Sequence, residues 1–494
     1  VNSDSQVGFQ SDYNLFDVDA SSSIYVWSGT GFDNKVDVFY QLGQEKSSLV
    51  TDAGFMDPDG QDDRLGFTNG TDYGADDNFR LKSSSEAIDA GDPDSYYLEE
   101  PGPNGLRANI GGYGNSPEAA TSTEQLLQVL NPIGFEKYEI GDEVPIQFRT
   151  AGLLPEDIWM SMNVGTGEAK GPWLEEAYIS KSGYDRDDND EIDLSQSSNT
   201  APDFVYDTYR RANNDGKIAA GLPVPDGTYT LRLHFVTDSF TESSYNQHEV
   251  FDILANGNVI ADDFDLDASE YGQDEAVVFE HELEVSNGSG IALELQEVQN
   301  NLRLYGMEIA VTNENGVSDP QINGAISVDN GSSFFDVFSG ESINRQGRGS
   351  TTWTADRETT AGNSGIVELS TDALNGQTVQ SRDGFLIAND GNEFYINDTQ
   401  DSNDVYTTAA GDNANSGKSP DSPMASIFAL LKAYSLDSDD VVHIDTGNYR
   451  LLRNIVMNSD DAGVTLQGPT GSEEAVLNRD NTSEGSYVIE FNGG

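Results

Sequence analysis

One acidic loop carries the side chains that are best suited to binding a metal ion. Alternate positions in it hold Asp185, Asp187, Asn189, Glu191 and Asp193. Side-chain oxygens with this spacing can face a common centre, and Ca²⁺ takes about six to eight oxygen ligands. The loop has neither the sixth-position glycine nor the closing glutamate of an EF-hand. The prediction of calcium here depends on the spacing alone.

A second acidic cluster, residues 57–63, has a similar composition. Its candidate calcium ligands are Asp57, Asp59 and Asp62. In a chain with 87 Asp and Glu residues, such loops also arise by chance. A solvated acidic turn is therefore the alternative to an ion site in both loops. Calcium is the one cofactor that the sequence predicts.

No arrangement in the sequence is typical of an enzyme active site. The four histidines, His234, His248, His281 and His443, have no partner at a catalytic or metal-binding spacing, and the chain has no cysteine. A nucleophile elbow (G-x-S-x-G) and a zinc-protease helix (H-E-x-x-H) are both missing. We therefore expect no catalytic site in these residues.

Charge and composition narrow the partners and the compartment. Acidic residues outnumber basic ones by 87 to 25, for a formal net charge of −62, so nucleic acid and anionic membranes are poor partners. No apolar run approaches the ~20 residues of a membrane span. Without cysteines, an extracellular protein must gain stability from size, calcium or repetition. The charge favours a marine or salt-tolerant microbe, because salt screens repulsion between carboxylates.

The secondary structure that the sequence predicts is nearly all β-strand. Short β-branched and aromatic runs alternate with Gly, Asn and Asp turns, as at residues 15–18, 24–27 and 36–40. Their spacing fits the short strands of a solenoid coil and those of an antiparallel meander equally well.

Residues 1–118 resemble the C-terminal end of a parallel β-helix. The runs NFRL at 78–81, SEAIDAGD at 85–92 and NIGGYG at 109–114 are similar to the closing coil of right-handed β-helices in the pectate-lyase-like superfamily. The resemblance implies that this region completes such a helix.

Residues 393–494 resemble the opposite end of the same fold. The FYIND run at 394–398 and the glycine-containing stretch 411–417 are similar to an N-terminal β-helix cap. The resemblance implies a short amphipathic helix over residues 425–434, followed by the first coil strand at residues 441–445.

Two intervening stretches are less informative. Residues 119–154, with NPIGFEKYEIGD at 131–142, resemble the opening strands of an immunoglobulin-like extracellular module. We expect this linker to donate its strands to the next domain. Residues 314–392 are rich in Ser, Thr, Asn and Gly, and predict either a small β module or an extended connector.

Residues 155–313 carry the most specific pattern. Trp173, FVYDTYRR at 204–211, PVPDGTYTLRLHF at 223–235, FDI at 251–253 and LYGMEI at 304–309 occur in an order that resembles malectin domains. The resemblance implies a jelly-roll β-sandwich of the kind used by carbohydrate-binding modules.

The residue pattern by itself agrees with a sandwich strand at residues 229–235. Tyr, Leu, Leu and Phe alternate there with Thr230, Arg232 and His234, which predicts an apolar face toward the core and a polar face toward solvent. The preceding Asp226-Gly227 pair is a hairpin-turn signal.

Sugar recognition needs aromatic faces that stack on pyranose rings and polar groups that bind hydroxyls. On the loops that the malectin resemblance implies, the candidates are Trp173, Tyr178, Tyr206, Asp207, Tyr209, Arg210, Phe240 and Tyr245. A structural role in the sandwich core is the alternative for most of the aromatic residues.

Together these features predict an all-β chain with parallel β-helix segments at both ends and a central malectin-like jelly-roll sandwich. We expect a structural or adhesive repeat segment of a large extracellular surface protein or filament, with a polysaccharide or other glycan as ligand. The alternative is the non-catalytic portion of a polysaccharide lyase or glycoside hydrolase. Because an open β-helix edge recruits other chains, we expect neighbouring copies to stack head to tail.

Overall fold

The computed structural model of this 494-residue chain describes residues 1, 6, 8–19, 22–165, 169–183, 185–187, 192–195, 197–237, 249–266, 271–272, 274–299, 302–400, 403–480 and 485–492. Most regular structure in these residues is β-strand. None of the helices they contain is long and apolar enough to cross a membrane.

The N-terminal region begins with short strands and one helix. In chain order they are β1 (Leu15–Phe16), β2 (Tyr25–Trp27), β3 (Thr30–Phe32), α1 (Lys35–Leu42), β4 (Leu49–Val50), β5 (Phe55–Asp57), β6 (Phe67–Thr68), β7 (Thr71–Asp72) and β8 (Asn78–Leu81). β1 and β4 pair in parallel, whereas β2 with β3, β5 with β8 and β6 with β7 pair antiparallel. Residues 82–118, all of them described, continue as turns and loops. The β-helix prediction for this region stays a prediction.

Helix α1 replaces the strand expected at residues 36–40. The Asn34 side chain accepts a hydrogen bond from the Asp37 backbone N–H and caps the first turn, and Gly43 ends the helix with a φ of +73°. Both are helix-boundary signals. They outweigh the strand propensity of the valines between them, so the strand prediction is wrong at this place.

Three further strands precede the central sandwich: β9 (Leu126–Asn131), β10 (Lys137–Glu139) and β11 (Glu143–Ala151). The sandwich strands are β12 (Glu156–Asn163), β13 (Trp173–Leu174), β14 (Ile179–Lys181), β15 (Asp185–Asp187), β16 (Thr208–Arg211), β17 (Lys217–Leu222), β18 (Gly227–Val236), β19 (Val250–Ala255), β20 (Asn258–Asp265), β21 (Ala276–Val285), β22 (Ile291–Gln299), β23 (Arg303–Leu304) and β24 (Gly306–Thr312).

Two five-stranded sheets face each other in the sandwich. One has the order β13-β12-β24-β18-β21 and the other β14-β17-β22-β19-β20, while β15, β16 and β23 form a small third sheet. Buried apolar side chains of both five-stranded sheets form a shared core, including Met160, Leu231, Phe235, Phe251 and Leu295. The inward alternation predicted for residues 229–235 supplies part of this core.

The Asp226-Gly227 turn is a corner between the sheets and not a hairpin. β17 before it and β18 after it lie in different sheets. The Asp226 carboxylate accepts hydrogen bonds from the backbone N–H groups of Asn287 and Gly288, at 3.1 and 2.8 Å. These bonds tie the corner to a distant turn, a contact that the dipeptide alone does not reveal.

The stretch after the sandwich forms a small β module. Its strands are β25 (Ile322–Ser327), β26 (Phe335–Glu341), β27 (Arg348–Thr354), β28 (Ile366–Ser370), β29 (Thr378–Gln380) and β30 (Leu386–Ala388). β11 pairs antiparallel with β9 and β27, and β10 pairs in parallel with β30. Residues 119–154 therefore donate their strands to this module and not to the sandwich. The reason is a common core, in which Ile146 and Phe148 are buried with Ile326 and Leu369.

The last strands form parallel ladders. They are β31 (Glu393–Ile396), β32 (Val441–Ile444), β33 (Gly447–Arg450), β34 (Ile455–Met457), β35 (Thr465–Gln467), β36 (Ala475–Asn478) and β37 (Ile489–Phe491), with helix α2 (Ile427–Ala433) between the first two. β31 pairs in parallel with β32, and β32, β33 and β34 pair in parallel with β35, β36 and β37, respectively. Helix α2 and strand β32 lie where the sequence predicts them.

The N-terminal region packs against the beginning of these ladders. Helices α1 and α2 are in contact, and the Tyr40 ring of α1 lies in the same buried core as α2 and β31. Asn413 Nδ2 donates to Asp37 Oδ1 at 2.7 Å, and Arg450 donates to Thr30 Oγ1 at 2.8 Å. The two outer regions therefore meet within one molecule. Head-to-tail contact between copies stays a prediction.

Candidate carbohydrate-binding site

The structure brings together several of the side chains predicted to bind sugar. A 3₁₀ turn, Asp203–Asp207, carries Tyr206 and continues directly into β16, which carries Tyr209. Trp173 lies on β13 at the edge of one large sheet. These three rings belong to one buried cluster, separate from the main core between the sheets.

The three rings are packed inside the protein. Trp173, Tyr206 and Tyr209 are 1, 1 and 8% exposed. Tyr305, which the sequence analysis missed, packs against both tyrosines, with its ring centroid 6.1 Å from that of Tyr206 and 5.1 Å from that of Tyr209. A ring needs an open face to stack on a pyranose, so in this structure the three rings stabilise the sandwich.

A buried polar network adjoins this aromatic cluster. Tyr206 Oη accepts a hydrogen bond from the Ala201 backbone N–H at 3.2 Å and lies 3.2 Å from His234 Nδ1. The Tyr206 hydroxyl can therefore donate its proton to His234 Nδ1. We accordingly assign the His234 proton to Nε2, which lies 3.4 Å from Glu308 Oε2. Arg345, from the small β module, donates a hydrogen bond to the same Glu308 oxygen.

Glu308 is fully buried and yet favours its charged form. Burial acts to raise its pKa, but His234 and the charges of Arg345 and Arg232 outweigh that effect and hold the pKa below its ordinary value. Burial raises the pKa of the Tyr206 hydroxyl. The network therefore keeps one carboxylate charge inside the protein and links the sandwich to the next module.

The polar face of β18 is covered, contrary to the expectation of a solvent-facing side. Arg232 and His234 are 4 and 0% exposed. Arg345 donates hydrogen bonds to the carbonyl oxygens of Asn199 and Thr200, at 2.9 and 3.2 Å, and so ties a loop of the sandwich to the network. The residues that cover this face come from distant parts of the chain. The alternation of residues within one strand therefore cannot predict its burial.

Asp207 and Arg210 retain access to solvent. Asp207 is exposed and Arg210 is half-buried. Both carboxylate oxygens of Glu176 accept from Arg210 Nε, at 3.1 and 2.8 Å, and one of them also accepts from the Gly165 N–H at 3.0 Å. The ion pair fixes the orientation of Arg210 beside the aromatic cluster.

Tyr178 lies at a different boundary of the domain. Its ring meets that of Tyr96 edge-on, with centroids 5.0 Å apart, and so joins the sandwich to the N-terminal region. Phe240 and Tyr245, the remaining predicted sugar ligands, lie outside the described residues.

The first acidic loop is described only in part. Asp185 and Asp187 belong to β15, and Asp193 is exposed. Asn189 and Glu191 lie outside the described residues. The structure therefore gives no arrangement for this predicted set of ligands.

The second acidic loop is described in full. Asp57 and Asp62 are exposed and Asp59 is half-buried. Among the residues that the structure describes, no group of three or more Asp, Glu, His or Cys could hold a metal ion. Calcium binding stays a prediction for both loops.

Comparison with known proteins identifies the sandwich. The family model of the malectin domain matches residues 167–325. No curated protein sequence matches the chain. A solved structure of the plant receptor-like kinase FER is 19% identical, with a TM-score of 0.27, over 35% of this chain and 52% of that one. The chain therefore spans about half the length of that receptor structure.

Two further solved structures show similarity of the same order. The ANXUR2 extracellular domain of Arabidopsis thaliana is 17% identical, with a TM-score of 0.27, over 35% of this chain and 51% of that one. A β-glucuronidase of Bacteroides uniformis is 15% identical, with a TM-score of 0.24, over 37% of this chain and 30% of that one.

The two facing sheets define the centre of the chain as a β-sandwich. The family match makes residues 167–325 a malectin domain, as the order of sequence motifs predicts. The match begins after β12 and extends into β25 of the small module.

Proposed function

We propose that this chain is a segment of an extracellular multidomain protein that binds a glycan through its malectin domain. The family match at residues 167–325 is the observation that carries the proposal. The surrounding β modules then serve as structural supports that hold the binding domain in place. The large negative charge favours a neutral glycan over an anionic one.

The binding surface of this proposal includes Asp207 and Arg210. The exposed Asp207 carboxylate can accept hydrogen bonds from sugar hydroxyls. Glu176 already holds the Arg210 guanidinium in one orientation. Less side-chain entropy is therefore lost when a ligand binds. The buried rings of Tyr206 and Tyr209, their chain neighbours, keep this edge rigid.

Substitution of Asp207 tests the proposal. We expect Asp207→Ala to weaken retention on a glycan array by about tenfold, the loss of one or two hydrogen bonds to a carboxylate. Asp203→Ala is the matched control, because Asp203 is also exposed and lies on the same 3₁₀ turn. Equal binding by both variants, or no glycan bound by the intact chain, would overturn the proposal.

We further propose that the C-terminal ladders are the opening coils of a parallel β-helix and that the N-terminal region is the closing end of another. The support is the repeated order of three strands, since residues 441, 447 and 455 pair with residues 465, 475 and 489. Solenoid coils that stack in this way would suit an adhesive or filamentous surface protein. A single monomeric species in light scattering at high salt would contradict head-to-tail assembly.

We propose no catalytic role for these residues. A polysaccharide-degrading parent protein, the alternative, would carry its active site elsewhere. Depolymerisation of a uronate polymer by this chain would contradict the proposal.

A further inference from the structure

A cleft lies outside the malectin match, in the N-terminal region. It has a volume of about 700 Å³, and its walls are residues 11–16 on one side and residues 91–96 and 108–115 on the other. Tyr25 and Glu45 also line it. Both of these residues hold a buried polar atom for which the described residues supply no hydrogen-bond partner.

Glu45 is the more constrained of the two. Its side chain is fully buried, and its backbone has a φ of +61°, a conformation that non-glycine residues adopt rarely. Glu45 Oε2 accepts hydrogen bonds from Asn14 Nδ2 at 2.8 Å and from Ser48 Oγ at 2.5 Å. Within the part of the chain that the structure describes, Glu45 Oε1 has no hydrogen-bond partner. The local fold therefore fixes one oxygen and leaves the other unpaired.

Tyr25 supplies a group that can donate hydrogen bonds as well as accept them. Its hydroxyl is buried and has no hydrogen-bond partner among the described residues. Burial, with a contribution from the negative charge of Glu45, raises its pKa to about 12. The hydroxyl therefore stays protonated and can both donate and accept a hydrogen bond.

Two unpaired polar atoms at one cleft call for a physical explanation. Burying a polar group without a partner destabilises a fold, and native structures contain few such groups. A ligand that pairs with both atoms removes this penalty in the bound state. The cleft also lies within the size range of small-molecule sites, about 300–1,000 Å³.

We propose that this cleft binds a pyranose sugar without a carboxylate, with Tyr25 and Glu45 as its polar anchors. The Glu45 carboxylate only accepts hydrogen bonds, so the ligand must bring hydroxyl or ammonium donors. Asp92 adds a second carboxylate to the lining and disfavours uronates and phosphates. Tyr13 and Tyr96 supply aromatic surface for a sugar ring. A metal ion fits less well, because no three potential ligands converge among the described residues.

Titration of the whole chain with defined oligosaccharides tests this site. The probes are cello-oligosaccharides and chitosan oligomers, with oligogalacturonate as the anionic counterpart. Binding is followed by calorimetry and by the Trp27 signal, which is the part of the fluorescence of the four tryptophans that a Trp27→Phe background removes. The Trp27 ring stacks on Tyr25 with centroids 6.4 Å apart. We expect a neutral or amine-bearing probe to bind and to change this fluorescence, and oligogalacturonate to do neither.

Tyr25→Phe is the decisive variant. It removes only an unpaired hydroxyl, so the thermal midpoint should stay equal or rise, while affinity for the probe falls about tenfold. Glu45→Gln should weaken binding at least as much. Tyr487→Phe is the control, because Tyr487 is 55% exposed and lies two residues before β37, outside the cleft lining.

The failure of this proposal is distinguishable from a failure of glycan binding by the malectin domain. Asp207→Ala should leave the Trp27 signal unchanged, and Tyr25→Phe should leave malectin-domain binding unchanged. Unaltered affinity in Tyr25→Phe, preference for oligogalacturonate, or no probe bound at this cleft would each overturn the proposal.

Discussion

The N-terminal and C-terminal regions each contain a fully buried carboxylate, and the two are satisfied differently. In the N-terminal region, Glu100 Oε1 accepts hydrogen bonds from the backbone N–H groups of Asn109 and Asn115, both at 2.8 Å. Glu100 Oε2 is buried and has no hydrogen-bond partner in the described part of the chain. This carboxylate thus holds a turn with one of its two oxygens.

In the C-terminal region, both oxygens of Asp445 are occupied. The backbone N–H groups of Val405, Tyr406, Thr407 and Thr446 donate to it at 2.6–2.8 Å, and the Thr407 hydroxyl adds a fifth hydrogen bond at 2.8 Å. Asp445 therefore joins the end of β32 to a loop about 40 residues earlier.

The difference shows that burial alone does not set the charge of a carboxylate. Burial raises the pKa of Glu100 to about 7, although two N–H groups oppose the shift. Burial also acts to raise the pKa of Asp445, but its hydrogen bonds outweigh that effect and the pKa lies below its ordinary value. The number of donors on each oxygen decides the direction.

The largest expected effect comes from removing the better satisfied carboxylate. Asp445→Ala leaves four backbone N–H groups in a buried site without their acceptor, and we expect the C-terminal region to lose roughly 4 kcal/mol of stability. Urea unfolding combined with limited proteolysis localises the change. Asp439→Ala is the control, since Asp439 is exposed on the turn before β32. An equal effect of the two substitutions would contradict the role of Asp445.

The next largest effect concerns Glu100, whose replacement should raise the stability of the protein at high pH, whereas replacement of Asp445 lowers it. Its folded pKa of about 7 exceeds the ordinary 4.5, so the folded state binds the proton more tightly and stability falls as pH rises through this window. The fall is roughly 3 kcal/mol. Glu100→Gln keeps Oε1 as an acceptor and carries no charge, so it should be more stable than the parent protein at pH 8 and similar to it near pH 4.5.

Thermal midpoints across this pH range measure the Glu100 effect. Glu86→Gln, an exposed substitution in the same region, should leave the pH profile unchanged. A profile for Glu100→Gln that parallels that of the parent protein would show that another group governs this window.

The smallest expected effect is that of calcium, which should stabilise the N-terminal region more than the C-terminal region. If residues 57–62 bind Ca²⁺, a hundredfold excess over Kd stabilises the N-terminal region by about 2.7 kcal/mol. Protection from proteolysis should then appear first in this region. The Asp59→Asn variant should lack this protection. Sodium chloride at equal ionic strength is the control, because it supplies only screening. Equal protection by both salts would contradict the ion site.

Local sequence signals were sufficient for the centre of the chain. The malectin motifs and the apolar alternation at residues 229–235 depend on neighbours in sequence, and the structure places these residues in the sandwich as predicted. The N-terminal helix also has local signals, Asn34 and Gly43, but the β-branched and aromatic run between them predicts a strand. A capping residue eight or nine positions before a glycine is the pattern that would have predicted α1.

The candidate sites could be predicted less completely, because their partners come from distant segments. Arg345 covers β18 from a different module, far along the chain, so the burial of His234 had no local sequence signal. The donors to Asp445 are backbone groups, which any residue supplies. Tyr25 and Glu45 face one cleft only because the chain returns to it at residues 91–115.

The contact between helices α1 and α2 has a mechanical consequence. A nearby hydrogen bond between Asp37 and Asn413, 376 residues apart in sequence, reinforces it, so the malectin domain lies inside a loop that these contacts close. Tension applied to the chain before α1 and after β34 would be borne by the helix pair and would bypass the sandwich. The malectin domain would then carry no tension while the protein is pulled. Its affinity for a ligand would not depend on the pulling force until the helices separate.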